Sequence, residues 1–131
     1  MSSSISIDEF VAGVMSSMKL SQRVELSMHN IEEELVDAFR LLEQVARRKG
    51  VELRFHCSLN AFTGRALTVH YALVRAEQSG LLVRDGQFIE ISLTTAESAD
   101  IINASPLSLT EWKTVTKHMR SDAFSNMPSP R

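Results

Sequence analysis

The sequence is poor in the residues that covalent or metal-stapled folds need. It has one cysteine, Cys57, which cannot form an internal disulfide, and no CxxC or Cys/His array of the kind that holds a structural zinc. A reducing compartment follows as the expectation, and with it a cytoplasmic location. No apolar run approaches the ~20 residues of a membrane-spanning helix. The opening "MSSSISIDEF" lacks a basic flank and an apolar stretch, so it does not read as a secretory signal. There is no glycine-rich phosphate loop, no HExxH, no nucleophile elbow and no paired-carboxylate signature. His29, His56, His70 and His118 are scattered, and neighbours such as His56 and Cys57 on an extended segment point to opposite faces. The expectation is a non-enzyme with no cofactor and no metal.

What is present is an ordinary globular composition. The 131 residues suffice for one domain with its own core, and 44% are hydrophobic against 23% charged. The net charge is −2, but it is unevenly spread. From Val45 to Asp85 seven basic residues face three acidic ones, a balance of +4, which leaves −6 for the rest. A basic middle between acidic ends invites an explanation in terms of a charged partner.

Local signals divide the chain. Residues 1–5 read as a frayed start. Ser6 with Glu9 forms a capping box ahead of a helix over about 7–18, in which Gly13 is a weak point. Val24, Met28, Ile31, Leu35, Phe39, Leu42 and Val45 recur at helical spacing, so a long helix starts near Ser21 or restarts at Asn30, where Glu33 offers a second box. Gly50 stops it, just after Arg47, Arg48 and Lys49, cations suited to the helix C-terminus. "VELRF" alternates as a short strand, with Val51, Leu53 and Phe55 on one side. "SLNAFTG" predicts a one- or two-turn helix capped by Ser58 and broken at Gly64. A further helix opens at Arg65 and ends at Ser79-Gly80, with Leu67, Tyr71 (or His70), Val74 and Gln78 down one side. In "SGLLVRDGQFIEIS" two apolar runs flank Asp85-Gly86, the signature of a type I′ hairpin. Thr94 with Glu97 and Ser108 with Glu111 are two more capping boxes, the second before Trp112, Val115 and Met119, and Pro106 separates them. The polar, proline-bearing end reads as a disordered tail over 121–131.

Helix, strand, short helix, helix and hairpin is the order a winged helix-turn-helix requires. Neither the lone strand nor the hairpin is stable alone, so "VELRF" is expected to join the hairpin in a three-stranded sheet. The predicted fold is α+β and mostly helical, a winged helix-turn-helix with a small three-stranded antiparallel sheet and extra N- and C-terminal helices. Its predicted parts are an N-terminal helical extension over 6–29, the winged-helix domain over 30–94 and C-terminal packing or dimerisation helices over 95–120. The segment from Leu67 to Ser98 resembles winged-helix regulators of the multiple-antibiotic-resistance type at Gly80, Leu81, Leu82, Arg84, Asp85, Leu93 and Thr94. Together with the winged-helix order over 30–94, that resemblance covers about half the chain and implies a DNA-binding transcriptional regulator acting as a homodimer.

On that reading the helix opening at Arg65 lies in the major groove of double-stranded DNA, with Thr63, Arg65, Thr68 and His70 toward the bases and Arg75 toward phosphate. Arg84 and Gln87 of the hairpin reach the minor groove or backbone, and Arg47, Arg48, Lys49 and Arg54 neutralise further phosphates. Blander roles stand beside these. The Arg47–Lys49 run is equally a solvated helix end, Tyr71 reads first as core, Trp112 as packing or a dimer seam, and Cys57 as a buried structural thiol. The groove-facing helix is also apolar in "ALTVHYALV". The alternative is therefore a non-enzymatic adaptor or anti-activator whose winged helix binds another protein.

Overall fold

A computed structural model describes residues 3–23 and 25–119. The tail expected over 121–131 lies outside them.

The three cooperative capping boxes form as the sequence predicts. Ser6 starts α1 (Ile7–Leu20), Thr94 starts α4 (Thr95–Ala104) and Ser108 starts α5 (Leu109–Val115); in each the hydroxyl accepts from the Glu three positions on, whose carboxylate accepts in return. Gly50, at φ 71, ends α2 (Ile31–Lys49) in the left-handed conformation that costs glycine least. α2 starts only at Ile31, because Glu25–Ser27 form a strand and a turn over 28–30 follows it. The Asn30 side chain makes no capping hydrogen bond, so that second box does not form.

Two sheets flank the helices. β1 (Ser4–Ile5) pairs in parallel with β3 (Glu52–Leu53). β2 (Glu25–Ser27), β5 (Phe88–Ile91) and β4 (Leu82–Asp85) form an antiparallel sheet in the order β2-β5-β4. The protein is thus α+β and mostly helical with a small three-stranded antiparallel sheet. The third strand, however, is "ELS" rather than "VELRF". The Glu52–Leu53 pair is taken by the N-terminus instead, so Ser4 and Ile5 are paired and Ile5 is buried, not frayed.

Two further expectations give way to local chemistry. "SLNAFTG" is a turn, not a helix: the Asn60 carboxamide oxygen accepts from the N–H of Phe62 (2.8 Å) and Thr63 (3.0 Å), an Asx arrangement that competes with helix. In the hairpin Asp85 pairs with Phe88, so the central residues are Gly86 and Gln87. Only Gly86 has positive φ, the sign pattern of a type II′ turn rather than I′.

α1 occupies the middle of the fold. Phe10, Val11, Val14, Met15 and Met18 are all buried, and the helix packs on α3 (Leu67–Gln78), α4 and α5. α1 and β2 therefore belong to the body of the domain instead of extending from it, since β2 completes the sheet. Arg23 fastens the α1–β2 connection to the C-terminal side. Its guanidinium donates to the carbonyls of Met119 and Thr116, the latter at 3.1 Å. Trp112, 1% exposed, lies over Gly13 and donates its indole N–H to Ser105 Oγ at 2.9 Å. Among the described residues, no helix is long and apolar enough to cross a membrane.

Candidate functional site

α3 carries most of the predicted site residues. Val69, Ala72, Leu73 and Ala76 face the core, which turns the opposite face, with Leu67, Thr68, Tyr71 and Arg75, to solvent. Tyr71 is 57% exposed and not core. α3 begins at Leu67 and not at Arg65, and its N-cap, Ala66, has no capping side chain.

A carboxylate from another helix serves this end. Glu32, in the first turn of α2, accepts from the Ala66 N–H at 2.8 Å and takes a two-pronged contact from Arg65: Nε to Oε1 at 3.0 Å and Nη2 to Oε2 at 3.0 Å. His70 Nδ1 lies 3.9 Å from the same carboxylate, and the Arg65 N–H donates to Thr63 Oγ1 at 3.2 Å. Thr63, Arg65 and His70 are thereby gathered at one end of α3 around Glu32. Burial raises the pKa of this carboxylate, but the Arg65 and Ala66 hydrogen bonds outweigh it and hold it below the ordinary carboxylate value. A saturated, firmly ionised carboxylate is a structural anchor and a poor proton acceptor.

The other cations are distributed differently from the sequence's basic middle. Arg75 Nε donates to Asp8 of α1 at 3.0 Å, and Arg84 Nε to Glu77 at the end of α3 at 2.8 Å. Lys49 Nζ donates to Glu111 at 2.9 Å and to the Pro106 carbonyl at 3.2 Å. Arg47, Arg48 and Arg54 are exposed and form no ion pair among the described residues. Arg47 sits fifteen residues along α2 from Glu32, roughly 22 Å at 1.5 Å per residue. Arg54 lies beside β1, its N–H donating to the Ile5 carbonyl at 3.0 Å. Residues that are neighbours in a +4 stretch of sequence are thus spread over separate faces, and four of them are matched by acids. Gln87 is exposed in the hairpin turn, with its carbonyl accepting from Met28 at 2.7 Å.

The exposed apolar side chains were the less legible part. Phe62 is 98% exposed, on a turn closed by the Asn60 carboxamide and by the Asn60 N–H donating to the Arg65 carbonyl at 2.7 Å. Leu67, 54% exposed, and Tyr71 are four residues apart on α3 and so share a stripe. The sequence signal for Phe62 is its place between the turn formers Asn60 and Gly64, where a helix cannot carry it inward. The terminal segments, expected to serve packing or a dimer seam, direct Phe10, Val14, Trp112, Val115 and Met119 into this chain's own core. Cys57 is buried, and desolvation pushes its thiol up to about 11, so it stays protonated and unreactive at neutral pH.

Comparison with protein-family models, with curated proteins and with solved structures gives no match. Function rests on the geometry.

Proposed function

We propose that the protein is a non-enzymatic adaptor of winged-helix type that binds a partner protein with the outer face of α3 and the turn before it. The observation that carries the reading is Phe62, almost fully exposed on a hydrogen-bonded turn at the head of a helix that also exposes Leu67 and Tyr71. Holding large apolar and aromatic groups in water is costly, and aromatic anchors are the residues that dominate protein interfaces. The winged-helix assignment is supported by the order α1, β2, α2, α3, β4, β5 and by a strand between the first two helices that pairs beside the hairpin.

The second reading, a DNA-binding regulator, is favoured by the same topology, by the exposed outer position Thr68, and by Arg47, Arg48 and Arg54, which form no ion pair among the described residues. Against it stand the matched cations and the net charge of −2. A homodimer under this second reading needs a surface other than the buried faces of the terminal helices.

The two readings part in a salt titration. A fluorescent mixed-sequence duplex at physiological ionic strength is expected to bind no more tightly than nonspecific binding, with Kd of ~10⁻⁴–10⁻⁶ M or weaker. Tighter binding that falls steeply with salt and is lost in Arg65→Ala overturns the adaptor in favour of the regulator.

A further inference from the structure

The solvent face of the three-stranded sheet differs from the rest of the surface. Side chains alternate across it, so Leu26, Ile89, Leu82 and Ile91 face the core and the intervening residues face out. On the outward side Val83, Glu90 and Glu25 stand in one row across β4, β5 and β2, and Asp85, Phe88 and Ser27 stand in the next. Val83 is 51% exposed, and Phe88 is half-buried without packing on the core cluster.

Glu25 and Glu90 are direct cross-strand partners. Like charges so placed destabilise a sheet. Elsewhere several acids are matched with cations, Glu32 with Arg65, Asp8 with Arg75, Glu77 with Arg84 and Glu111 with Lys49, and others such as Glu33 and Glu52 form no ion pair among the described residues; what marks the sheet is that two of its carboxylates are set directly opposite each other. Among the described residues Glu25, Asp85 and Glu90 form no ion pair. The outer edge of β4 is closed, because the outward N–H of Arg84 donates to Glu77 at 3.3 Å, so a partner approaches the face of the sheet and not this edge.

We infer that this face, Val83 and Phe88 ringed by Glu25, Asp85 and Glu90, is a second docking surface, for a cationic segment of a protein that alternates basic and apolar residues. Apolar residues of the segment cover Val83 and Phe88, and its lysines or arginines relieve the opposed carboxylates. The same charges repel nucleic acid and anionic lipid.

The test uses the full chain and a fluorescein-labelled (Lys-Val)4 peptide, with (Glu-Val)4 as the control. At low salt the lysine peptide is expected to bind saturably and the glutamate peptide not at all. Glu25→Gln with Glu90→Gln is expected to weaken binding about tenfold, two charge contacts at typical exposed strength. The free double variant is expected to melt higher than the parent, since it loses a repulsion, so weaker binding cannot be put down to misfolding. Phe62→Ser is expected to leave peptide binding unchanged, which separates this surface from the α3 face and makes either proposal able to fail alone. Equal binding by parent and double variant overturns the inference. So does a rise in melting temperature with calcium, absent from the double variant and unaccompanied by peptide binding, which makes the face a cation site.

Discussion

The guanidinium of Arg65 and the carboxylate of Glu32 form a forked pair across thirty-three residues of sequence, 3.0 Å at each prong, and the same carboxylate takes the Ala66 N–H. α3 lacks a side chain of its own to cap its start, and Glu32 supplies negative charge there from α2. The residue that sequence reading places against a base edge is thereby engaged in joining two helices.

This pair fixes a direction for the acid response. Burial raises Glu32, the Arg65 and Ala66 hydrogen bonds more than offset it, and the folded pKa lies below the ordinary 4.5. A depressed folded pKa contributes stability that is present above the unfolded value and is lost as pH falls through the folded one. Thermal melts are therefore expected to be insensitive to Glu32→Gln in slope above pH 4.5 and to lose less stability than the parent below it. Parallel profiles for the two proteins contradict the assignment.

Gly13 meets Trp112 closely enough that a Cβ would stand 2.3 Å from Cζ2 of the ring. Gly13→Ala is expected to destabilise by about 1–3 kcal/mol through overpacking. Helix propensity alone favours alanine by about 1 kcal/mol. The sign of the change in urea unfolding thus decides which effect wins, and a stabilised variant contradicts the packing.

The hairpin turn separates Gly86 from Asp85. Gly86, at φ 63, is the residue in left-handed conformation, and Gly86→Ala is expected to cost ~1–2 kcal/mol. Asp85→Ser is expected to stay within about 0.5 kcal/mol, since that position has no special backbone demand. Comparable losses at both positions restore the type I′ assignment.

Cys57, with its thiol near 11 and buried, is expected to react with a disulfide reagent at pH 8 only as fast as the protein unfolds, and quickly in urea. Immediate labelling of the native protein indicates an open, reactive thiol.

The sequence disclosed what is decided locally. Ser6 with Glu9, Thr94 with Glu97 and Ser108 with Glu111 each satisfy their own helix start within four residues, and all three form. The Asn60 turn is also local, but there a side-chain competitor for backbone N–H groups defeats the helix suggested by Ser58. The partner of the hairpin was not legible. "ELS" and "VELRF" are both short and alternating, and which one joins β5 is settled by where α1 and α2 leave the chain. Charge was misleading for the same reason. The stretch from Arg47 to Arg84 is basic in sequence, yet Glu32, Asp8 and Glu111 come from elsewhere in the chain to match Arg65, Arg75 and Lys49, and Glu77 matches Arg84 from within it.

The central claim is that the outer face of α3 meets a protein. The most direct measurement places the photoreactive residue benzoylphenylalanine at position 71, in place of the exposed Tyr71, and irradiates cells that naturally contain the chain. The expected result is a discrete adduct that survives nuclease, is destroyed by protease and disappears when Leu67→Asp is added. An adduct removed by nuclease, or no adduct while the chain remains folded, contradicts the account.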